Sequence, residues 1–379
     1  FLSALQVLIV PIIVDNTITN DILLSTFPFL ATMSTASLSR AALRHRPSAI
    51  FLNSARLNYD QKLDYSRLSS LTNLHIHNVD TITNAGDILS LLQTHRPEII
   101  ITKEMEVPSS ILQDPNFPET VKLLCEAGTG YNNLPIDVAK EKNISVCNIP
   151  TYSNESVAHM VITYIMNFSA AMFDQARMIY KERDRTNFKV FQHPIYEITD
   201  KTLGLIGGSG TIGCNVMDVA LPLGMKVLIS SRNDKLPPNH KYCNNPNVTV
   251  VSLRDLLQQS DFVSINCPLN KETRHSIGKK EIELMKPTAF LINTARGAII
   301  NEKELIECMK DRVIAGAGLD TQEVEPPSDD SELWTLDNVF MTPHIGWRRL
   351  ETRQRLVDMT ADNIEAYCKG EPINVVNIN

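Results

Sequence analysis

The sequence lacks a long apolar run, a close pair of cysteines and an excess of positive charge. No uninterrupted stretch of roughly 18 apolar residues occurs, so we expect neither a spanning helix nor a membrane partner. The seven cysteines are scattered without a CxxC pair, which argues against a zinc site and a disulfide framework, and we expect no bound metal. The 36 basic residues are outnumbered by 43 acidic ones, a net charge of −7, which disfavours a nucleic-acid partner.

Acidic residues are also missing from the N-terminal region. None occurs in residues 22–59, and residues 33–46 are rich in serine and arginine, a composition typical of an organellar presequence. The alternatives are a disordered extension, sequence upstream of a true start at Met33, or, for the apolar residues 1–14, a cropped signal sequence. Because the chain does not begin with Met, we expect a processed form, a fragment or a gene-model extension. We predict that residues 1–46 form an N-terminal extension and that the protein is cytoplasmic, with a mitochondrial or other organellar location as the alternative.

Length and hydrophobic pattern predict two α/β domains. At roughly 150 residues per domain, 379 residues suffice for two. Short apolar segments alternate with helical ones, which is typical of parallel sheets covered by helices on both faces. A first series of strands is predicted at 48–52, 99–102, 121–125 and 145–148. After one long helix at 153–182, a second series is predicted at 202–206, 226–229, 248–251, 262–265, 289–292, 315–319 and 339–342.

A glycine-rich turn follows the first strand of the second series. Gly208, Gly210 and Gly213 fit the GxGxxG pattern between a strand and a helix. The first glycine allows a tight turn, the second lets a pyrophosphate approach the backbone, and the third lets helix and strand pack closely. Gly207 is one residue more than this turn requires. The pattern indicates a dinucleotide site, and the alternative is a glycine-rich turn without a ligand.

The next strand ends without the expected acidic residue. A carboxylate usually stands there to bind the ribose 2′-hydroxyl of NAD. Here the strand is followed by Ser231 and Arg232, and no acid occurs before Asp234. A guanidinium and hydroxyls favour a 2′-phosphate, which a carboxylate would repel. The sequence therefore favours NADP(H) over NAD(H), unless Arg232 is a solvated charge.

Three later strands are followed by reactive side chains. Arg296, Glu325 and His344 lie after the predicted strands at 289–292, 315–319 and 339–342 respectively, where open α/β sheets bind ligands. Arg can hold a substrate carboxylate in a bidentate contact, and His can exchange a hydroxyl proton. Glu stabilises the imidazolium form of that His. Singly, each residue also has an ordinary structural explanation; together they predict hydride transfer to and from a hydroxy acid.

Longer motifs surround these residues and follow one another along the chain. They are AGTGYNN (127–133), NIPTYSNESVA (148–158), KTLGLIGGSGTIG (201–213), SDFVSINCPLNKETRH (260–275), INTARGAIINEKEL (292–305), AGLDTQEVEPP (317–327), TPHIG (342–346) and the terminal PINVVN. By these motifs the chain from about residue 48 onward resembles the D-isomer-specific 2-hydroxyacid dehydrogenases. Trp347 and the RTNF segment at 185–188 look more like the glycerate dehydrogenase and hydroxypyruvate–glyoxylate reductase branch than like phosphoglycerate dehydrogenase.

The resemblance implies an architecture and a reaction. A Rossmann nucleotide-binding domain (153–345) is expected to be inserted into a flavodoxin-like substrate domain (47–152 and 346–379), both with doubly wound parallel sheets. A homodimer through the nucleotide-binding domain is also implied. The expected reaction reduces a small 2-oxo acid, hydroxypyruvate or glyoxylate, to the D-2-hydroxy acid. NADP(H) is the expected cofactor, with NAD(H) as the lesser alternative because the family's usual acid is replaced by Ser231.

Matching motifs also assign site residues. Arg296, Glu325 and His344 take the catalytic positions, and Arg296 and His344 also contact the substrate. Thr129 and Gly130 match the loop whose backbone amides hold the substrate carboxylate. Cofactor contacts are expected from Gly208, Gly210, Thr211, Ile212, Gly213, Ser231, Arg232, Pro268, Thr273, Thr294, Ala295, Asp320 and Gly346, with Asp320 near the nicotinamide carboxamide.

Two other classes fit part of the pattern. A formate dehydrogenase would pair its histidine with Gln, so Glu325 argues against it. A nucleotide-sensing binding protein, like the transcriptional corepressors of this family, keeps the same three catalytic residues. Turnover of 2-oxo acids, contrasted with capture of a protein partner, discriminates the two.

Overall fold

The computed structural model describes residues 46–181, 194–231 and 235–377. Residues from Arg46 onward form one compact unit. The N-terminal extension up to residue 45, the RTNF segment and Arg232 lie outside the described residues. The strands are β1 (Ser48–Phe51), β2 (Asn73–Ile76), β3 (Ile99–Thr102), β4 (Leu123–Glu126), β5 (Ser145–Cys147), β6 (Thr202–Ile206), β7 (Lys226–Ser230), β8 (Val248–Val250), β9 (Phe262–Ile265), β10 (Phe290–Asn293), β11 (Gly316–Leu319) and β12 (Val339–Met341).

The strands form two parallel sheets. The first has the order β2-β1-β3-β4-β5 and the second the order β12-β11-β10-β9-β6-β7-β8. Every strand pair is parallel. The carboxyl ends of all strands in a sheet therefore meet at one edge, which is where such sheets bind ligands.

Helices cover both faces of each sheet, as the apolar strands require. Along β1, Ala49 and Phe51 join one hydrophobic cluster while Ile50 and Leu52 join another, the alternation expected when both faces are buried. The helices are α1 (Ser66–Leu71), α2 (Ala85–His95), α3 (Ser109–Gln113), α4 (Ile136–Glu141), α5 (Asn154–Ala170), α6 (Met172–Ala176), α7 (Thr211–Ala220), α8 (Leu253–Gln259), α9 (Lys279–Ile282), α10 (Glu302–Lys310) and α11 (Leu350–Cys368), with 3₁₀ turns at Ser54–Arg56, Gly297–Ile299 and Glu332–Thr335 and a π turn at Arg177–Lys181.

All eleven predicted strands are found, with ends shifted by at most two residues, and the two-sheet α/β architecture is confirmed. The edge strand β2 was missed because its residues are only partly buried and carry no apolar run. The long helical stretch predicted at 153–182 is found in the described residues 154–181, but it is interrupted once. The chain breaks at Ala171 (φ 47°), where the Asn167 side chain accepts a hydrogen bond from the Phe173 amide at 3.0 Å and restarts the helix.

Packing near the predicted domain boundaries follows the two sheets. Side chains of α5 pack with β6 and β7 of the second sheet, whereas α11 packs with β1, β3 and β4 of the first. Ile345 packs with the former cluster and Trp347 with the latter. The boundaries at 152/153 and 345/346 stay a prediction that this packing supports.

In the described ranges, no single helix is long and apolar enough to cross a membrane. The pair Asn154–Ala170 and Met172–Tyr180, bent by 61°, passes that test only when both parts are taken together. Several α5 side chains, including Ala158, Val161 and Ile165, are fully buried in the protein core.

Candidate active site

The turn between β6 and α7 leaves no room for side chains at two of its glycines. Gly207 has φ +80°, and a Cβ there would lie 2.9 Å from the backbone of Cys267, so only glycine fits without strain. A Cβ on Gly213 would lie 2.3 Å from the Gly208 carbonyl oxygen, which keeps the helix close to the turn. The positive φ therefore assigns the tight turn to Gly207, a role that the extra glycine had left open in the sequence.

The residues around this turn fit a dinucleotide. Gly210 is the residue before α7, and Thr211 and Ile212 begin it, so the free N–H groups and the helix dipole favour a phosphate there. At the ends of β9 and β10, the Asn266 amide and the Thr294 hydroxyl are buried without a hydrogen-bond partner among the described residues. Buried polar groups rarely stay unsatisfied. A polar ligand lying across these strand ends would satisfy them.

The predicted ribose-reading position lies beside the glycine turn. β7 ends at Ser230, whose carbonyl oxygen accepts a hydrogen bond from the Gly207 amide at 2.7 Å. Ser231 follows and is half-buried. The structure therefore brings Ser231 to the place expected for the ribose.

Two of the predicted cofactor contacts are engaged in holding a turn. The Thr273 hydroxyl donates to the Pro268 carbonyl at 2.7 Å and accepts from the Asn270 amide at 2.8 Å. Nearby, the Ala295 amide donates to the Asn293 side chain at 3.1 Å. These bonds fix the loops after β9 and β10 at the sheet edge.

Asp320 orders the segment that carries His344. Its side chain is buried, and one carboxylate oxygen accepts from the Thr342 hydroxyl at 2.6 Å and the Ile345 amide at 2.8 Å. The other oxygen accepts from the Gly346 amide at 2.8 Å, and a Cβ on Gly346 would come equally close to it. These hydrogen bonds show that Asp320 stabilises the loop after β12.

His344 and Glu325 form a hydrogen-bonded pair. The imidazole Nδ1 lies 2.8 Å from a Glu325 carboxylate oxygen, and the two side chains are 26% and 33% exposed. Because a carboxylate only accepts, Nδ1 carries the proton and Nε2 remains to exchange one with a substrate. His344 has φ 51°, a left-handed conformation that costs a non-glycine residue energy and is found at functional sites.

Arg296 meets the predicted substrate loop. Its guanidinium donates to the Ala295 carbonyl at 2.8 Å, and another of its nitrogens lies 3.2 Å from the position of a Cβ on Gly130. The loop is anchored through Thr129, whose hydroxyl donates to the Ile149 carbonyl at 2.8 Å. Arg296 and the loop after β4 thus come together, as the motifs predicted.

Sequence reasoning missed Asn266 and the pair Lys103–Glu104. Each directly follows a buried strand, at the sheet edge where ligands bind. A polar or charged residue in that position is itself a signal, although no motif marked these residues. Lys103 is buried, and Glu104 lies close enough to His344 to interact with it electrostatically.

A doubly wound sheet with this glycine turn and a His–Glu pair at its carboxyl edge defines a nicotinamide-dependent dehydrogenase. A family model, D-isomer specific 2-hydroxyacid dehydrogenase, NAD binding domain, matches residues 166–346. Hydroxypyruvate reductase from Blautia hydrogenotrophica is 32% identical over 320 residues, which cover 83% of this chain and 95% of the relative. Glyoxylate reductase from Thermococcus litoralis is 36% identical over 69% of this chain and 78% of the relative.

The solved structures agree. The NAD-complexed D-isomer specific 2-hydroxyacid dehydrogenase from Lactobacillus delbrueckii ssp. bulgaricus superposes with a TM-score of 0.69 and 26% identity, covering 87% of this chain and 99% of that one. The chain therefore belongs to the D-isomer-specific 2-hydroxyacid dehydrogenases, and its cofactor is a nicotinamide dinucleotide.

Proposed function

We propose that the protein reduces hydroxypyruvate to D-glycerate or glyoxylate to glycolate, which is achiral. The observation that carries this proposal is the His344–Glu325 pair at the same sheet edge as Arg296, whose guanidinium lies beside the Gly130 loop of the first sheet. The names of relatives in the hydroxypyruvate and glyoxylate reductase branch support the substrate class.

A reduced nicotinamide, when bound, supplies the hydride that adds to the carbonyl carbon of the substrate. His344 donates the proton from Nε2 to the carbonyl oxygen as the C=O π bond becomes a C–H and an O–H bond. The Glu325 carboxylate accepts the hydrogen bond from Nδ1 and so orients the imidazole. Arg296 and the amides of the Thr129–Gly130 loop hold the substrate carboxylate.

NADPH is the coenzyme we propose. Ser231 stands beside the glycine turn where the family usually has an acid, and Arg232 follows it in the sequence. A hydroxyl and a guanidinium favour a 2′-phosphate over a free hydroxyl. NAD(H) is the weaker alternative.

The exposed apolar side chains of the α6 region support a homodimer through the nucleotide-binding domain. Met172, Phe173 and Tyr180 are 65%, 52% and 82% exposed. Large apolar side chains exposed along one helical stretch are a feature of interaction surfaces. Light scattering after size-exclusion chromatography should give twice the mass of the chain, and a monomer at micromolar concentration would refute this arrangement.

The cysteines support a reducing compartment as the place where the enzyme acts. All seven are free thiols, including the exposed Cys368. Secreted proteins more often pair such residues as disulfides. Cytoplasmic location follows as the proposal, with an organelle as the alternative.

The proposed function is tested by following NADPH and NADH absorbance with a panel of 2-oxo acids. We expect hydroxypyruvate and glyoxylate to be the best substrates and NADPH to exceed NADH. No coenzyme oxidation with either acid would refute the proposal, as would equal rates with long-chain 2-oxo acids.

A further inference from the structure

A charged pair projects from the first sheet towards the catalytic histidine. Lys103 and Glu104 directly follow β3, beside the loop that follows β4. The Lys103 Nζ lies 3.2 Å from the position of a Cβ on Gly128 in that loop. It also lies 4.0 Å above the ring of Trp347, three residues beyond His344. The pair thus lies between the loop that follows β4 and the segment that carries His344 and Trp347.

The backbone fixes the direction of the Glu104 side chain. Glu104 has φ 52°, a left-handed conformation that glycine or asparagine adopts more easily. Its amide donates a hydrogen bond at 2.8 Å to the buried carboxylate of Glu126, which holds the residue there. Backbone strain of this kind persists where the surroundings impose it, and it is concentrated at functional sites.

The charged side chains around Glu104 are paired with opposite charges. Its carboxylate lies 2.7 Å from the Lys103 Nζ and 3.4 Å from the Arg56 guanidinium, which in turn lies 3.8 Å from Asp80. Burial alone would raise the pKa of Glu104, but Lys103, His344 and Arg56 outweigh it and lower the pKa to about 2. The carboxylate is therefore ionised at any working pH, and its side chain remains 29% exposed.

The Lys103, Glu104 and Arg56 side chains together favour a substrate group that donates a hydrogen bond over an anionic one. Both nearby cations face carboxylates, so a second anionic group on a substrate would find no free positive charge from Lys103 or Arg56. Such a group would instead lie against an ionised carboxylate, and like charges in a cleft repel strongly. A hydroxyl group could donate to the exposed carboxylate oxygen in a charge-assisted bond.

We propose that Glu104 is a specificity-determining residue that accepts a hydrogen bond from a hydroxyl on the carbon next to the substrate carbonyl and excludes substrates with an anionic group there. The inference rests on the proposed function and narrows it. It predicts that the enzyme prefers hydroxypyruvate to its O-phosphorylated derivative. It also predicts that Glu104 raises kcat/KM for hydroxypyruvate but not for glyoxylate, which has no such hydroxyl.

The test is Glu104→Gln in the full chain, with kcat/KM measured for hydroxypyruvate, its phosphorylated derivative and glyoxylate at saturating coenzyme. We expect the ratio of kcat/KM for hydroxypyruvate to that for glyoxylate to fall about fivefold to tenfold, since a neutral acceptor forms a weaker bond than a charged one. Relative use of the phosphorylated acid should rise about tenfold. Glu106→Gln, which removes an exposed charge two residues away, is the matched control and should leave both ratios unchanged.

The ratios separate specificity from damage to the fold. If Glu104→Gln misfolds because the buried Lys103 has lost its partner, the double variant Lys103→Met/Glu104→Gln removes both charges and is read by the same ratios. A change of less than twofold in both ratios would overturn the inference, leaving Glu104 a structural residue. If the wild type reduces neither acid, the proposed function itself fails, and this inference fails with it.

Discussion

The carboxyl edges of the two sheets are organised differently. At the second sheet, the buried Asp320 carboxylate holds the segment that carries His344, because it accepts hydrogen bonds from two backbone amides and a hydroxyl of that segment. At the first sheet, the buried Lys103 lies beside the substrate loop, between the partly exposed Glu104 and the face of the Trp347 ring. Hydrogen bonds to the backbone fix one position for His344, whereas the charge pair sets the electrostatic character of the space that faces it.

From this difference we assign the reaction to the edge of the second sheet and substrate selection to the edge of the first, in line with the proposed function. Proton transfer needs His344 at a defined point, and a network of directed hydrogen bonds provides that. Selection among 2-oxo acids needs a charge of one sign at a defined place. The pair of buried Lys103 and partly exposed Glu104 provides that charge without leaving a buried ion unpaired. Changes at the second edge should therefore cost rate, and those at the first edge should alter substrate ratios.

The largest effect is expected from His344→Ala. The variant removes the proton donor and should lower kcat by about 10²–10⁴-fold, the usual contribution of a placed acid or base. Coenzyme binding, measured by fluorescence titration, should be retained, because the glycine turn lies on other strands. Near-wild-type turnover in a folded His344→Ala protein would remove His344 from its role.

The coenzyme site is tested by Ser231→Asp combined with Arg232→Ala. An aspartate at 231 would face a 2′-phosphate at roughly 4 Å, worth about 4 kcal/mol at an effective dielectric of 20. Solvent at the strand end reduces this to ~1–2 kcal/mol, or about ten- to thirtyfold in affinity.

We expect the wild type to favour NADPH at least tenfold in kcat/KM and the double variant to move towards NADH. Equal use of both coenzymes by the wild type would mean that Arg232 does not contact the phosphate. The single variants, measured in parallel, show which of the two residues carries the preference.

A variant of Asp320 tests how far its hydrogen bonds stabilise the loop after β12. Asp320→Asn replaces one acceptor oxygen with a donor, which leaves a buried amide or hydroxyl of the His344 segment without its partner. Such a loss costs about 1–3 kcal/mol in the free energy of unfolding. Denaturant titration checks this. Unchanged stability would show that the loop does not depend on these bonds.

A smaller effect is expected from Glu325→Gln, measured as kcat at saturating coenzyme. The side-chain amide of Gln can donate as well as accept a hydrogen bond, so it no longer fixes the proton on Nδ1 of His344. We expect kcat to fall, but by less than in His344→Ala, because the proton donor itself is kept. An unchanged kcat would contradict the role assigned to Glu325.

No effect is expected from shortening the N-terminus. The described structure begins at Arg46, and the family-like pattern begins near residue 48. A chain starting at Met33 should therefore express, melt and turn over like the full one. Loss of folding on removal of residues 1–32 would show that this segment packs on the core, which would contradict its assignment as an extension.

The sequence predicted the sheets well because their strands are buried on both faces and therefore read as apolar runs. It missed β2, whose edge position leaves NLHI partly exposed, and it missed the break at Ala171, which depends on a side-chain contact of Asn167. Neither feature has a local signature, since alanine carries no turn preference and edge burial depends on the neighbouring strands.

For the site, motifs predicted the residues that backbone turns and strand ends place directly. Arg296 lies beside Gly130, and Glu325 is hydrogen-bonded to His344. That the two pairs form one catalytic site stays a prediction. The nearness of Glu104 to His344 could not be read from the sequence, because it depends on how two loops from different sheets meet. The tight-turn role of Gly207 likewise needed the backbone angle.

The central claim is that His344, Glu325, Arg296 and the Gly130 loop form one site that reduces a 2-oxo acid to a single enantiomer. The direct measurement incubates the full chain with NADPH and hydroxypyruvate and separates the glycerate formed on a chiral column. The account predicts D-glycerate alone, formed mole for mole with oxidised coenzyme. Formation of L-glycerate, a mixture of enantiomers, or no glycerate would contradict it.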